Sequence, residues 1–317
     1  MKNGISRKDF LKLCVAGIAG LITSSQLLKR AFAAPGPDPS MGRVKLNRKG
    51  DHDLVVSRGD DPYRITTKAV EAMGGMEKFV KRGDVVVIKP NIAWDRSVEQ
   101  AANTNPQVVA ALIDLSFAAG AKRVNVFDIT CNDARPCYEN SGIQAAAKAK
   151  GANVYFPDEW NTVKARFEYS SPMEGWPILK DALECDSFIN VPILKHHGLS
   201  GLTISMKNLM GVCGGNRSLM HTDIGRKLVD LTDFISPDLN IVDAYRALLR
   251  HGPTGGRLED VKELKTVVAA TDPVLADAYA ATLVDVDPFS LPFIRSAIER
   301  GLGSADISKA DIFTVTS

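Results

Sequence analysis

Short runs of apolar, mostly β-branched residues alternate with longer helix-forming stretches along most of this chain. Residues 85–88, for instance, are Val-Val-Val-Ile, a run typical of a strand that is buried on both faces. Strands that are separated by helices of ten or more residues usually pair in parallel. The sequence therefore predicts an α/β fold, with a mainly parallel, doubly wound sheet and helices on both faces. The predicted strands are 53–57, 84–89, 123–129, 152–156, 186–194, 239–242, 265–270 and 311–315, and the predicted helices are 62–80, 105–119, 138–150, 203–212, 223–235, 273–284 and 288–300.

The composition is that of an ordinary globular protein. The chain has 317 residues, of which 45% are hydrophobic and 24% are charged, and its formal charge is +2. These values exclude a disordered tail, a collagen-like repeat and a disulfide-dense miniprotein. A charge so near zero also argues against a general nucleic-acid-binding protein, which usually carries a basic excess. We expect residues 51–317 to form one α/β domain.

The first 33 residues have the three parts of an export signal. A basic start is followed by a mildly apolar run at 13–28 and then by Ala31-Phe32-Ala33, the small-x-small pattern that signal peptidase cleaves. Six basic residues against one acidic residue give this segment a net charge of +5, so the rest of the chain carries −3. We predict cleavage after Ala33 and a periplasmic or extracellular protein, with 34–50 as a linker. The alternative is an uncleaved amphipathic anchor helix.

The basic start resembles the twin-arginine export signal, S-R-R-x-F-L-K. Residues 6–12 are Ser-Arg-Lys-Asp-Phe-Leu-Lys, so Lys8 replaces the second arginine. A weak apolar core and the basic pair Lys29-Arg30 before the cleavage site also favour this route. The resemblance implies that the twin-arginine translocase carries the chain across the membrane already folded, a route often taken by proteins that hold a cofactor.

Four cysteines lie outside the predicted signal, Cys131, Cys137, Cys185 and Cys213. No two of them form a C-x-x-C pair, so their spacing supports neither a zinc ribbon nor an iron–sulfur cluster. In an oxidising compartment Cys131 and Cys137 could form a disulfide across a short loop. The alternative is that each cysteine is a buried or free thiol.

Polar residues follow five of the predicted strands at the point where each strand ends. In a parallel sheet these carboxyl ends meet at one edge, where ligands bind, so the sequence predicts one shared cleft. Capping and turn roles would also account for several of these residues, Asp272 above all. The turn around Gly252 suits either a loop whose backbone approaches a ligand closely or a surface turn. The ligand-binding candidates are Lys89, Asn91, Asn105, Asp128, Asn208, Gly252 and Asp272, and the catalytic candidate at a strand end is Asp243.

The densest polar stretch lies between residues 191 and 221. It contains Lys195, Lys207 and a glycine-rich turn at 211–217. Paired lysines beside such a turn predict a cradle for a carboxylate or phosphate. The glycine spacing fits neither a P-loop nor a dinucleotide fingerprint, so no nucleotide is predicted. Because Lys207 has apolar neighbours, it either lines a pocket or extends to the surface.

Histidines in the same stretch predict either proton transfer or metal binding. His196 and His197 are adjacent on a predicted strand, so their side chains point to opposite faces and at most one of them easily faces the cleft. With His221 and Cys213 they could supply ligands for a metal ion, the one cofactor that these residues indicate. A histidine, or a lysine of lowered pKa, is equally a candidate for acid–base work.

Seven short segments form a pattern that is specific when they are taken together. They are Val-Val-Ile-Lys-Pro-Asn at 86–91, Asn-Pro at 105–106, Asn-Val-Pro-Ile-Leu-Lys-x-His-Gly at 190–198, Ser-Met-Lys-Asn-Leu-Met-Gly at 205–211, Asn-Ile-Val-Asp at 240–243, Gly-Pro at 252–253 and Thr-Asp-Pro at 271–273. Over about residues 84–285 the chain thus resembles the family catalogued as domain of unknown function 362. Many relatives in that family carry an added ferredoxin-like segment, whose cysteine runs do not occur here, so the resemblance implies no iron–sulfur cluster. More distantly, the arrangement resembles the amino-terminal part of nickel-dependent lactate racemases, which act on hydroxy acids.

These observations support two main hypotheses about function. The first is an enzyme that acts on a small anionic molecule, in which cationic side chains bind the anion, an imidazole moves a proton, and a carboxylate orients one of them or holds a metal. The second is a non-catalytic exported protein that holds a metal or cofactor, or assists maturation, for a periplasmic redox partner. The third alternative is a stably folded protein whose cleft no longer binds a ligand. In the first hypothesis, Lys195 and Lys207 bind the anion, and His197 or His221 moves the proton. Asp128 or Asp243 is the carboxylate that orients one of them or holds a metal.

Overall fold

A central sheet with helices on both faces forms the body of the protein in the computed structural model, which describes residues 38–158 and 160–317. Residues from Pro39 to Ser317 group into one unit. The predicted signal segment, 1–33, and the first residues of the predicted linker lie outside the described residues. Within the described residues, no helix has both the length and the apolar character needed to cross a membrane.

The strands and helices follow one another along the chain much as the hydrophobic pattern predicts. The strands are β1 (Leu54–Arg58), β2 (Val85–Pro90), β3 (Arg123–Val126), β4 (Asn153–Val154), β5 (Thr162–Lys164), β6 (Pro177–Leu179), β7 (Ser187–Val191), β8 (Ile193–His197), β9 (Gly201–Thr203), β10 (Leu239–Leu248), β11 (Val261–Ala270) and β12 (Ile312–Thr316). The helices are α1 (Pro62–Ala72), α2 (Pro106–Ala118), α3 (Ala134–Asn140), α4 (Ile143–Ala149), α5 (Lys180–Leu183), α6 (Ser205–Asn208), α7 (Ile224–Ile235), α8 (Pro273–Thr282) and α9 (Pro292–Arg300).

The main sheet has the strand order β12-β1-β11-β10-β7-β2-β3-β4, and β8 and β9 extend it beside β10. Pairing is parallel between β12 and β1, between β10 and both β7 and β8, and along the series β7-β2-β3-β4. β11 is antiparallel to both of its neighbours, and β9 is antiparallel to β8. The predicted fold class, α/β with a mainly parallel sheet, is therefore confirmed.

Each face of the sheet packs against its own set of helices. Val86 and Ile88 of β2 belong to the hydrophobic cluster formed with α1 and α2, whereas Val87 belongs to the cluster formed with α7, α8 and α9. All three side chains are completely buried. Because both faces of β2 are buried, its first four residues, 85–88, are all apolar, and its first polar residue is Lys89.

Two predicted elements are divided by a residue that cannot continue them. The helix predicted at 138–150 is divided into α3 and α4 at Gly142, whose φ of 72° lies in the left-handed region. The strand predicted at 186–194 is divided into β7 and β8 at Pro192, which has no N–H to donate to the ladder. The second break redirects the chain so that β8 runs on beside β10.

The segment before β1, which includes the last part of the predicted linker, contacts the domain at Arg43. The Arg43 guanidinium lies 2.7 Å from a carboxylate oxygen of Asp238, and both side chains are almost completely buried. Arg43 also donates hydrogen bonds to the backbone oxygens of Ile235 and Ser236. These contacts join the start of the described chain to the connection between α7 and β10.

Candidate functional site

A cavity of about 620 Å³, here named the central cavity, opens at the carboxyl ends of β2, β3 and β8. The short 3-10 segments Leu209–Val212 and Arg217–Asp223 form its opposite wall. This is the edge of the sheet at which parallel α/β proteins bind ligands. Nine of the twelve residues that the sequence predicts for the site line it, namely Lys89, Asn91, Asp128, Lys195, His197, Lys207, Asn208, His221 and Gly252.

Asn208, on α6, links the floor of the central cavity into one hydrogen-bond network. Its side-chain oxygen accepts bonds from Lys89 Nζ and Asn91 Nδ2, each at 3.1 Å. Its side-chain nitrogen donates to the backbone oxygen of Lys89 at 3.1 Å and to Asn190 Oδ1 at 2.9 Å. Because all four bonds are buried, the network holds the ends of β2 and β7 against α6 in one geometry.

Lys89 and Asp128 form a buried ion pair at the bottom of the cavity. Lys89 Nζ lies 2.7 Å from Asp128 Oδ1, and Asp128 Oδ2 accepts a bond from the Ile92 N–H. Burial lowers the pKa of Lys89 and raises the pKa of Asp128, while their mutual attraction opposes both shifts. Because the Asp128 carboxylate is bonded to both Lys89 Nζ and the Ile92 N–H, it is held in place and fixes the position of Lys89.

The 3-10 turn above this pair requires glycine at position 211. A Cβ on Gly211 would lie 1.7 Å from Asp128 Oδ1 and 2.6 Å from Lys89 Nζ. The helix predicted at 203–212 is instead the end of β9, then α6 and the turn Leu209–Val212. The tighter turn lets the backbone approach the ion pair, a contact that a hydrophobic pattern does not encode.

Lys195, on β8, is fixed by neutral oxygens. Its Nζ donates to the backbone oxygen of Ala102 at 2.6 Å and to Asn91 Oδ1 at 3.1 Å, and the side chain is almost fully buried. Burial of the ammonium group lowers the pKa of Lys195 to about 7. Lys195 therefore places at the cavity wall a positive charge that is lost near neutral pH.

Lys207, on α6, has a different environment. Its Nζ contacts Met210 Sδ at 3.3 Å and His221 Nε2 at 3.4 Å, and only 6% of the residue is exposed. Burial, with a smaller contribution from the nearby charge of Arg217, lowers the pKa of Lys207 to about 8. The sequence left open whether Lys207 lines a pocket or reaches the surface, and the structure puts it in the cavity wall.

His197, at the end of β8, is held as a neutral ring. Its Nδ1 accepts hydrogen bonds from the N–H groups of Leu199 and Ser200, at 3.1 and 3.4 Å. An accepting Nδ1 leaves the proton on Nε2, so the ring offers a donor. Burial, reinforced by the charge of Lys207, lowers the pKa of His197 to about 3.

His221 has the opposite tautomer. Its Nδ1 lies 3.2 Å from the backbone oxygen of Ser218, which can only accept, so Nδ1 carries the proton and Nε2 keeps a lone pair toward Lys207. Burial also lowers the pKa of His221. The rings of His221 and His197 stack with their centroids 5.4 Å apart. A proton donor and a proton acceptor thus lie side by side in the cavity.

Among the cavity residues that were not predicted as site residues, Arg217 and Cys131 have side chains that can bind an anion or react. Arg217 lines the cavity, where its guanidinium donates hydrogen bonds to the backbone oxygens of Ile129 and Thr130. Cys131 has an exposed free thiol 3.9 Å from Arg217. The signal for Arg217 was its position in the glycine-rich turn beside the paired lysines. The sequence singled out Cys131 only for a disulfide with Cys137, whereas all four cysteines of the described chain are free.

Asn105 and Asp243 bind each other away from the cavity wall, which corrects their predicted placement. One carboxylate oxygen of Asp243 accepts from the Asn105 N–H at 2.7 Å and the other from the Tyr245 N–H at 3.0 Å. Burial raises the pKa of Asp243 to about 6. The predicted strand ended at residue 242, but β10 continues to Leu248 beside β8, so Asp243 lies within a strand.

Asp272 lies at the other edge of the sheet, because β11 is antiparallel to β10. Its carboxylate caps α8 by accepting from the N–H groups of Val274 and Leu275, and it also accepts from the Ser304 N–H. Its predicted place in the shared cleft is therefore corrected in favour of the capping role. The reversed strand direction follows from the absence of a crossover helix between β10 and β11 in this described part of the chain.

Metal ligands are not grouped in the described part of the chain. No cluster of three or more His, Cys, Asp and Glu side chains has an arrangement that could hold a metal ion there. His196, on the face opposite to His197, accepts a bond from the Gly252 N–H instead of facing the central cavity. The alternation of adjacent strand residues accounts for this separation.

Comparison with known proteins assigns the chain to a family. Residues 86–282 match the family model described as "Domain of unknown function (DUF362)". The chain belongs to this family. Every residue of the central cavity, from Lys89 to Pro253, lies within the matched segment. The resemblance predicted from the sequence motifs is confirmed at this level.

A curated relative and two solved structures are also similar. The "Thylakoid-associated protein sll1697" of Synechocystis sp. is 29% identical over 243 residues, which are 74% of this chain and 73% of the relative. The lactate racemase apoprotein of Thermoanaerobacterium thermosaccharolyticum aligns with a TM-score of 0.42 and 10% identity, over 79% of this chain and 59% of that chain. A structural-genomics protein of Thermotoga maritima aligns with a TM-score of 0.36 and 13% identity, over 58% and 51%. The chain thus spans less than two thirds of either solved chain, and these alignments define no substrate for it.

Proposed function

We propose that this DUF362 protein is an enzyme that binds a small anionic substrate in the central cavity and moves a proton on it. The charge of the cavity wall carries the proposal. Among the described residues that line the cavity, four side chains are cationic, whereas Asp128 is the one carboxylate and is already paired with Lys89. An uncompensated positive charge in a partly dehydrated cavity attracts an anion. The four cations are Lys89, Lys195, Lys207 and Arg217.

The roles follow from what each group can still donate or accept. The Arg217 guanidinium has N–H groups beyond those bonded to the backbone oxygens, so it suits a carboxylate or phosphate. His221 Nε2 has a lone pair and suits a general base. His197 Nε2 carries a proton and suits a hydrogen-bond donor to a developing negative charge.

Ligand binding can be tested by thermal unfolding of the full-length protein with a panel of small carboxylates and phosphates. We expect one of these anions to stabilise the wild type by about 2.7 kcal/mol at a hundredfold excess over its dissociation constant. Arg217→Met should raise the apparent dissociation constant of that anion at least tenfold. Arg226→Met, which removes an exposed guanidinium, is the matched control and should bind as the wild type does.

Catalysis can be tested with the anions that bind. NMR spectra in deuterated water should report exchange or conversion of the bound substrate, and His221→Gln should slow it at least a hundredfold while the affinity changes little. A panel in which no anion stabilises the wild type, or in which Arg217→Met responds as the control does, would contradict the proposal.

We also propose that the chain is exported through the twin-arginine translocase. The basic, weakly apolar segment 1–33 with Ala31-Phe32-Ala33 supports this. Amino-terminal sequencing of the protein recovered from the periplasm should begin near Ala34, and replacing Arg7 and Lys8 by glutamine should leave an uncleaved precursor in the cytoplasm. A mature chain that begins at Met1 would contradict export by this signal.

A further inference from the structure

The amine of Lys207 differs from those of the other two lysines in the central cavity. Lys89 Nζ is paired with the Asp128 carboxylate, and Lys195 Nζ donates to two oxygens. In residues 38–158 and 160–317, by contrast, no oxygen acceptor lies within hydrogen-bond distance of Lys207 Nζ, which meets only the Met210 sulfur and the lone pair of His221. Lys207 is therefore the lysine whose amine is both buried and free to react.

We propose that Lys207 is a nucleophile that forms an imine with the carbonyl group of an anionic aldehyde or ketone bound in the central cavity. This deepens the proposed function and rests on it, since Arg217 would hold the carboxylate or phosphate of the same molecule. The substrate class is thus narrowed to small carbonyl compounds that bear an anionic group.

The groups around Lys207 favour the reactive form of its amine. Burial and the Arg217 charge lower its pKa to about 8, and Cys131 opposes them only in part. About a tenth of the Lys207 amines are then unprotonated at pH 7, against fewer than about one in a thousand for an exposed lysine. The neighbouring imidazoles of His197 and His221 also have lowered pKa values. Lys195 is the other titratable neighbour, and its charge and that of Lys207 disfavour each other. A neutral, desolvated amine is the form that attacks carbonyl carbon.

The partners that the chemistry needs are in place. The Nζ lone pair forms the N–C bond while the carbonyl π electrons move to oxygen, and His197 Nε2–H can stabilise that oxygen. His221 Nε2, 3.4 Å from Lys207 Nζ, accepts in turn the two protons that nitrogen loses. It delivers the first to the alkoxide oxygen, which gives the carbinolamine, and the second to the carbinolamine hydroxyl, which leaves as water. In the overall reaction an amine and a carbonyl compound give an imine and water, with no change of oxidation state.

The test is reductive trapping on the full-length protein at about pH 7.5. The probes are glyoxylate and glycolaldehyde phosphate, each with sodium cyanoborohydride, which reduces an iminium and converts it into a stable secondary amine. Peptide mapping by mass spectrometry should find one reduced probe on Lys207 at least tenfold faster than on Lys309, whose side chain is 83% exposed. Lys207→Arg should abolish this adduct, and Lys309→Arg should leave it unchanged.

Unreactive analogues separate this inference from the proposed function. Glycolate and glycerol phosphate carry the same anionic groups without a carbonyl, and they should stabilise the wild type against heat and protect Lys207 from trapping. If they stabilise it while Lys207 stays unlabelled, or while label falls on Lys195 or evenly on exposed lysines, imine formation is overturned and anion binding stands. If they neither stabilise nor protect and Lys207 is unlabelled, both are overturned. Should Lys207→Arg not fold, the wild-type peptide map and Lys207→Met decide the same question.

Discussion

At the scale of single residues, the burial that keeps the amine of Lys207 reactive also destabilises the fold. The pKa of Lys207 falls from 10.5 to about 8 on folding. Between these values the unfolded chain holds a proton that the folded chain has released, so the free energy of unfolding rises with pH over this range. The full rise attributable to Lys207 is roughly 3 kcal/mol, and below about pH 8 none of it is present.

Lys207→Met should therefore flatten the pH dependence of stability. Urea denaturation at several values between about pH 7 and pH 10 should show the free energy of unfolding of the wild type rising more steeply than that of the variant. Lys309→Met removes an exposed amine and should keep the wild-type slope. Equal slopes in the wild type and Lys207→Met would mean that the Lys207 amine is not buried in solution.

The sequence was sufficient to find the three lysines of the cavity but not to pair them. Lys89 and Asp128 were predicted as separate ligand-binding residues, whereas they neutralise each other at 2.7 Å. Their side-chain contact joins β2 to the end of β3, so it depends on strand order, which local pattern does not encode. Arg217 was missed for a related reason, because backbone oxygens of another segment orient its guanidinium toward the cavity.

At the scale of elements, the 3-10 turn Leu209–Val212 depends on the missing side chain of Gly211. A methyl group there would overlap Asp128 Oδ1, at 1.7 Å, and would also meet Lys89. Either the turn moves away from β2 and β3 or the buried ion pair separates, and breaking such a pair costs about 3 kcal/mol or more. Gly211→Ala should lower the free energy of unfolding by that amount and abolish the anion-dependent thermal stabilisation.

Gly198 offers a matched control for this prediction. It also lines the central cavity, but a Cβ there would meet nothing within 4 Å and its φ is not in the left-handed region. Gly198→Ala should change stability by less than about 1 kcal/mol. If urea denaturation found the two variants equally stable, close approach of the turn to the ion pair would not be the reason for glycine at 211.

Most strand positions could be predicted from the sequence, with β5, β6 and β9 as the exceptions, but the reversed direction of β11 could not. The hydrophobic pattern located β11, and the Thr-Asp-Pro after it looked like the polar end of one more parallel strand. In the structure β11 runs antiparallel to β10, so its carboxyl end and Asp272 lie at the edge of the sheet away from the cavity. For Asp243 the pattern ended the strand too early, because the second half of β10 pairs with β8 through an irregular register.

Asp272→Ala tests whether this corrected role holds. Loss of the cap on α8 should lower the free energy of unfolding by about 1–2 kcal/mol. The thermal stabilisation by a cavity-binding anion should stay as in the wild type, and Asp272→Asn should retain most of the stability because asparagine also caps helices. A folded Asp272→Ala protein that no longer responds to the anion would restore Asp272 to the site.

At the scale of the whole molecule, one buried ion pair joins segments that are far apart in the chain. Arg43 and Asp238 are separated by 195 positions, and their charged atoms lie 2.7 Å apart with both side chains almost fully buried. Asp238 also accepts the Phe188 N–H at the start of β7, so the pair connects the start of the described chain to the middle of the sheet. A buried pair of this kind is costly to break, since Asp238 would keep only the more distant Arg48 Nε, 3.5 Å from its other oxygen, as a charged partner.

Arg43→Met should therefore lower the free energy of unfolding by about 3 kcal/mol while the protein still unfolds in a single transition. Lys45→Met removes a half-exposed partner of Asp233 and should change it by less than about 1 kcal/mol. Combining Arg43→Met with Asp238→Asn should recover part of the loss, because the penalty comes from a buried carboxylate that has lost its nearest charged partner and not from packing alone. If urea denaturation gave Arg43→Met and Lys45→Met the same midpoint, or if the double variant were the least stable of all, the buried charge pair would not be what joins this segment to the domain.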